Sequence, residues 1–387
     1  MEVGTPEGGW KLSSASLSSF TSSYILDLSY SCPRSGSKRV ERRQWRAKDI
    51  VAAKQSVLTL GSLPPMKTVS FSLTPLPNGL TPTVTFGLPA KTPKEGAAAA
   101  VPAVALPLLC KLTWSGIPAE AVKIYCASLC EGSLGKGEGG ADAPTHIYTS
   151  SYQSWGFAGA TERPNPMPRH ALPDVLAGAF HLGAELHSGR ETKNAWVGRD
   201  KGYYASHGFA AITSNGCGES GGCHPEAARL DASGGPALVI GFLSQRSQFG
   251  MITADKNLGS IAAHCSYDGA EVSSSAAGNS PSVIDTDFLW LQLLEAHDYG
   301  EEVMQGYLDA VAATNGAREC KLPLSLGWCS WYEHYENINE DIISKNVESL
   351  KLSDFPANVV VVDDGYMTSW GDWDSLKPGL FPSEMKR

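Results

Sequence analysis

The sequence predicts a multi-domain chain: a large N-terminal antiparallel β-sandwich over residues 1–297, a helix, and then a βαβ unit with parallel strands. Three observations predict it. Short segments alternate apolar and polar residues throughout the first 297 positions, separated by Pro- and Gly-rich turns. The apolar spacing then changes to that of a helix in residues 297–317. Finally, an apolar segment, a second helical segment and four consecutive valines follow one another before the chain closes.

In order, SYILDLSYS (23–31), KTVSFSLTPL (67–76) and PTVTFGL (82–88) read as half-buried antiparallel strands. AVKIYCASL (121–129), PALVIGFLS (236–244), GMITADKN (250–257) and TDFLWLQLLE (286–295) follow, the last with a nearly continuous apolar run from Phe288. Many strands with few helical periods make a sandwich. Residues 89–107 are low in complexity and read as an inserted loop. Residues 298–320 form a linker helix with Val303, Tyr307, Leu308 and Val311 on one face. Glu301 and Glu302 favour its N-terminus, and Gly316 stops it.

Residues 321–387 hold the βαβ unit. LPLSLGWCSW (322–331) is its first strand and NINEDIISKNVESLKL (337–352) its helix, capped by Asn337 or Asn339. NVVVVDD (358–364) is the second strand, and its unbroken valines predict burial on both faces, as in a parallel sheet covered by helices.

Composition narrows the function. The net charge of −9 and the absence of a long basic run argue against a nucleic-acid partner. The one basic cluster, Lys38 to Arg43, is interrupted by Glu41 and reads as a solvated face or a loop. No window approaches the roughly 18 apolar residues of a membrane span. The Ser-rich start carries Glu2 and no apolar core, so it does not read as a secretory signal, while an organelle transit role stays open. Nine scattered cysteines are not a disulfide framework and point to a reducing compartment, hence the cytoplasm. Cys217, Cys223 and His224 match no standard metal spacing and read as a loop of small residues; no metal is expected.

The chemistry sits where the two parallel strands end. In parallel α/β architectures ligands bind at the carboxyl ends of the strands, which here carry Cys329, Trp331 and Tyr332 on one side and Asp363 and Asp364 on the other. Adjacent residues at a strand end suit hydrogen bonds to neighbouring hydroxyls of one ligand. They do not suit a glycosidase pair, whose carboxylates must flank one bond. With the rings of Trp331, Tyr332 and Trp370 this reads as a carbohydrate pocket. The alternative is an Asp-Asp-Gly turn with helix-capping carboxylates.

LGWCSWYEHYENINEDIISKN (326–346) followed by VVVVDDGYMTSWGDWDSLKPGLFPSEMK (359–386) resembles glycoside hydrolase family 36, the α-galactosidases and the raffinose-synthase-like galactosyltransferases similar to them. SYQSWGF (151–157) looks like that family's Gly-Tyr-Gln-Ser-Trp motif, with Ser151 in place of glycine, and GFLSQRSQFG (241–250) fits its sandwich. The resemblance implies that residues 321–387 begin a (β/α)8 TIM barrel. It also implies a retaining mechanism on terminal α-galactosides of oligosaccharides or glycoconjugates, with no metal or organic cofactor and with self-association possible. By motif, Asp363 and Asp364 would bind galactose hydroxyls at C4 and C6, Trp331 and Tyr332 would line the pocket, and Trp155 would reach it from the sandwich or else be a buried core tryptophan. Trp370, Asp372 and Trp373 belong to the signature with less reason for sugar contact, and Cys329 packs. The nucleophile and the acid/base aspartate are expected beyond Arg387, so these residues alone should not hydrolyse anything. A galactosyltransferase, a non-catalytic galactoside-binding protein and a purely structural sandwich are the alternatives.

Overall fold

The computed structural model describes side chains over residues 51–75, 79–88, 107–116, 127, 129–130, 146–150, 158–161, 204–213, 237–246, 248–254, 261–267, 283–294, 304–321 and 324–383, with strand backbones at further positions from residue 2 onward. The chain divides into two compact units, Met1–Ala317 and Arg318–Arg387.

The first unit is built on two antiparallel sheets. One runs Glu2–Val3, Trp10–Leu12, Phe20–Tyr24, Val122–Leu134, Ile261–Val272, Phe249–Asp255 and Tyr203–His207, with Asp27–Pro33 also on Val122–Leu134 and Val40–Arg46 beyond it. The other runs Gly159–Glu162, His146–Thr149, Phe209–Thr213, Ala237–Phe242, Leu289–Leu294, Leu108–Gly116, Thr81–Pro89, Met66–Leu73 and Ile50–Leu58, with Ser282–Asp285 also on Leu108–Gly116. Each strand expected from alternation is present in some form. The segment expected at 23–31 is two strands, and Val40 to Arg43 of the basic cluster lie in the strand Val40–Arg46.

The inner faces of both sheets supply one core. Leu112, Trp114, Leu238, Ile240, Leu289 and Leu291 from one side meet Tyr204, Ile252, Ala263 and Tyr267 from the other. Trp114 and Tyr267 touch edge to face across the layer, with centroids 5.8 Å apart. Period two then explains why Leu289–Leu294 is buried at every position. Leu289, Leu291 and Leu293 enter that core, while Trp290 and Leu294 enter a second cluster on the sheet's outer face.

Helix α1 (Glu302–Asn315) covers that outer face. Tyr307 and Ala310 are buried there and Met304 and Val311 pack beside them, whereas Leu308 is exposed. Of the residues expected on that face, Tyr307 and Val311 lie on it and Leu308 does not. Three hydrogen bonds bolt the helix down. Tyr307 Oη donates to the Phe242 carbonyl (2.8 Å), Asn315 Nδ2 to the Leu243 carbonyl (2.7 Å), and the Ser62 amide to the Ala313 carbonyl (3.3 Å). Gly61, at φ +53, lies where a Cβ would stand 2.0 Å from the Ala313 carbonyl oxygen, so only glycine allows this approach. Gly316 ends the helix at φ +66.

The second unit contains the strand Gly327–Cys329, the one-turn helix α2 (Trp331–His334), helix α3 (Glu340–Leu352) and the strand Val359–Val361. The two strands pair in parallel, Gly327 to Val359 and Cys329 to Val361, as a βαβ unit requires. Asn339 caps α3, its Oδ1 accepting the Ile342 amide at 2.9 Å. The valines depart from the reading of the sequence: Val359, Val360 and Val361 are 38, 39 and 44% exposed rather than buried on both faces. The apolar cluster of this unit lies elsewhere. Ile338, Tyr366, Met367 and Phe381 form it, with Ile343, Val362 and Leu376 against them, so the loop after the second strand takes the core position.

Candidate functional site

Because the strands are parallel and Cys329 pairs with Val361, the residues that follow each strand emerge at the same edge. Ser330 ties the two segments together. Its amide donates to the Val361 carbonyl (3.1 Å), and its buried hydroxyl accepts the Asp363 amide (2.9 Å). Ser330 lies inside the WCSW motif, but only the fold reveals its role.

The two aspartates are not equivalent. Asp363 is engaged at both carboxylate oxygens: Oδ1 accepts the Asp364 amide (2.8 Å) and Oδ2 accepts the Cys329 thiol (3.3 Å). No described residue hydrogen-bonds the Asp364 carboxylate. Its pKa is raised above the ordinary aspartate value, first by burial and then by the charges of Asp363 and Glu336. The Asp364 carboxylate is thus partly buried, faces two other carboxylates and has no hydrogen-bond donor of its own among the described residues. Cys329, expected to pack, is a hydrogen-bond donor instead.

Glu336 was not anticipated. It approaches through a turn set by Tyr335, a non-glycine residue at φ 49 at the end of α2. Opposite it, Gly365 at φ +118 leaves room for the Glu336 carbonyl, which a Cβ would meet at 2.6 Å. The glycine of Asp-Asp-Gly thus lets two chain segments touch.

Aromatic residues follow both strands in the chain. Trp331 is half-buried and meets Tyr335 edge to face at 5.4 Å. Tyr332 is 86% exposed, and Trp370 and Trp373 are exposed too. The structure therefore brings Asp363, Asp364 and Trp331 to one edge of the strand pair but leaves Tyr332 open to solvent. Trp155 and its motif, residues 90–106 of the low-complexity segment, and Cys217, Cys223 and His224 lie outside the described residues. No group of three or more potential metal ligands occurs among the described residues, and no described helix is long and apolar enough to cross a membrane. Cys110, Cys130, Cys265, Cys320 and Cys329 carry no disulfide.

The loop that carries Trp370 and Trp373 is pinned by Asp372. Its carboxylate accepts Thr368 Oγ1 (3.4 Å) and the Asp374 amide (3.3 Å). Hydrogen bonding, above all from the Ser375 side chain, holds its carboxyl below the ordinary range. Asp372 shapes the loop.

Comparison with known proteins gives two kinds of likeness. Residues 303–377 match the family model described as raffinose synthase or seed imbibition protein Sip1. Among solved structures, the galactosidase domain of the α-galactosidase–sucrose kinase AgaSK is 10% identical over 92% of this chain and 42% of its own, with a TM-score of 0.47. The Geobacillus stearothermophilus α-galactosidase AgaB is 11% identical over 93% and 42%, TM-score 0.45. A substituted AgaA from the same organism, crystallised with raffinose, is 12% identical over 92% and 42%, TM-score 0.43. The chain spans about two fifths of the length of each. From α1 to the loop that carries Trp373, the chain is similar to the raffinose synthase family, and the resemblance to glycoside hydrolase family 36 carried by its motifs stands.

Proposed function

We propose that this chain carries the galactose-binding wall of an enzyme acting on terminal α-D-galactosyl residues of oligosaccharides or glycoconjugates, in carbohydrate catabolism. The observation that carries the reading is the donor-free Asp364 carboxylate at the carboxyl end of a parallel strand pair, inside the segment similar to the raffinose synthase family. The parallel register supports reading Gly327–Val361 as the first βαβ part of a (β/α)8 barrel. In this reading Asp364 accepts a sugar hydroxyl. Asp363 accepts a second one through lone pairs that its two internal bonds leave open, since a carboxylate offers about four acceptor positions. Trp331 presents a ring face to the sugar's C–H surface. By its motif, Trp155 is assigned as a further sugar-binding residue. A retaining reaction needs two carboxylates about 5 Å apart across the scissile bond. Asp363 and Asp364, adjacent in the chain, are read as binding residues and not as that pair.

The test is calorimetric titration of the chain with galactose and raffinose. Asp364→Asn should lower affinity at least tenfold, roughly the loss of one charge-assisted hydrogen bond, with the circular dichroism spectrum unchanged. Because the Asp364 carboxyl is raised, affinity should begin to fall on acidification at a higher pH than an ordinary carboxylate dictates. A chain that binds neither sugar, or an Asn variant that binds as well as the wild type, sinks the reading. The family-model match favours a second version, in which the whole enzyme transfers galactose to another sugar instead of to water. Incubating protein from its natural source with an α-galactoside and an acceptor sugar separates the two, through free galactose or a longer oligosaccharide.

A further inference from the structure

We infer that Cys329 is a positioning residue of this site: its thiol fixes the orientation of Asp363, and Asp363 in turn holds the turn from which the Asp364 carboxylate projects. The inference rests on the galactoside reading for its functional meaning, and its geometry stands on four consecutive hydrogen bonds. The thiol of Cys329, the last residue of the first strand, donates to Asp363 Oδ2 at 3.3 Å. On the other side of the same carboxylate, Oδ1 accepts the Asp364 amide at 2.8 Å. The Asp363 amide is held by Ser330 Oγ at 2.9 Å, and the Ser330 amide by the Val361 carbonyl at 3.1 Å.

Removing the thiol frees one oxygen of Asp363 to rotate about χ2, a broad torsion for aspartate. The other oxygen then leaves the Asp364 amide. Nothing else among the described hydrogen bonds holds the Asp363 carboxylate in place. Asp364 meanwhile faces the charges of Asp363 and Glu336, so a turned Asp363 changes both its position and its repulsion. A serine at position 329 keeps a donor in the same place and should preserve the arrangement, whereas alanine and valine abolish it. Valine also fills the volume, which separates donor loss from a cavity.

Two readouts on the full 387-residue chain test this. The first needs no sugar: hydrogen exchange of the Asp364 amide, followed by NMR with 15N-aspartate labelling. Exchange should speed up about five- to tenfold in Cys329→Ala and Cys329→Val and stay at the wild-type rate in Cys329→Ser, a range in keeping with losing one hydrogen bond to a charged acceptor. The second is the affinity for galactose, which should fall about three- to tenfold in the Ala and Val variants and recover in the Ser variant. Equal exchange rates in all four proteins overturn the inference, as does a Ser variant that behaves like the Ala variant. A wild-type chain that binds no galactose overturns the galactoside reading instead, and the exchange rates still decide what Cys329 does.

Discussion

The two units hold their shapes by different means. In the sandwich, apolar side chains from facing sheets fill a continuous layer, and even the outer face of one sheet is covered by α1. Among its described residues, the Arg318–Arg387 unit buries four apolar side chains in one cluster, and its most apolar strand is half open. Hydrogen bonds tie the rest: Ser330 to Val361 and Asp363, Asp363 to Cys329 and Asp364, Asn339 to α3, and Asp372 to its loop. The scaffold is packed, and the site is tied. Hydrogen bonds specify direction, which a site needs, but each contributes only about 1 kcal/mol net, against 2–5 for a fully buried aliphatic side chain.

A matched pair of substitutions gives the largest expected effect. Leu291 is 0% exposed and Val360 is 39% exposed, although both stand in strands written as apolar runs. Leu291→Ala should cost about 3–4 kcal/mol, as lost burial and a residual cavity add. Val360→Ala should cost less than about 1 kcal/mol in the same 387-residue chain. Urea unfolding of the three proteins measures both. Equal costs would mean that the valine strand is covered in solution, and the contrast between packed and tied units would collapse.

This pair also marks what could be read from the sequence. Alternation located the strands 66–73, 81–89 and 249–255, because one face of each meets the core and period two survives. It passed over Leu108–Gly116 and Ile261–Val272, whose mixed apolar, polar and charged residues break a simple pattern. An unbroken valine run states only that a strand prefers apolar neighbours; which neighbours arrive is a tertiary fact. At the site, the motif located Asp363, Asp364 and Trp331. It could not separate two adjacent aspartates that differ in role, because the difference is made by Cys329 and Ser330, more than thirty residues earlier in the chain. Glu336 was invisible for the same reason: its approach depends on the backbone of Tyr335 and on Gly365.

A smaller effect, confined to the packed unit, concerns His264. It lies on Ile261–Val272 with Nε2 2.9 Å from Thr253 Oγ1, and burial lowers its pKa to about 4 from 6.5. A histidine depressed in the fold is protonated first in the unfolded chain. The unfolded state therefore binds more protons between about pH 6.5 and 4, and stability falls as the pH drops through that window. The loss should reach about 2–3 kcal/mol at pH 4. His264→Gln, which keeps a polar group near Thr253 but does not titrate, should flatten the profile by that amount. Urea midpoints at pH 7, 5.5 and 4 give the comparison, and parallel curves for the two proteins would remove His264 from the acid response.

The smallest effect belongs to the tied unit and probes its weakest kind of support. Asn339 adopts an extended backbone at φ −149, and its Oδ1 accepts the Ile342 amide, one of the donors that the first turn of α3 leaves open. The adjoining Glu340 binds outward: its carboxylate accepts the Ser383 amide at 2.9 Å and its own amide donates to the Leu380 carbonyl at 2.9 Å. The start of α3 therefore anchors the end of the loop that supplies Phe381 to the cluster. Asn339→Ala should cost about 1 kcal/mol, while Asn339→Asp should be nearly neutral, because both Asn and Asp cap well. Since α3 buries no residue of its own, that loss should appear as faster amide exchange in 340–346 and 380–383 together, with the exchange of Leu289–Leu294 unchanged. If the alanine variant speeds exchange in the sandwich strands as well, the two units share one cooperative unfolding event, and hydrogen bonding is not what sets the second unit apart.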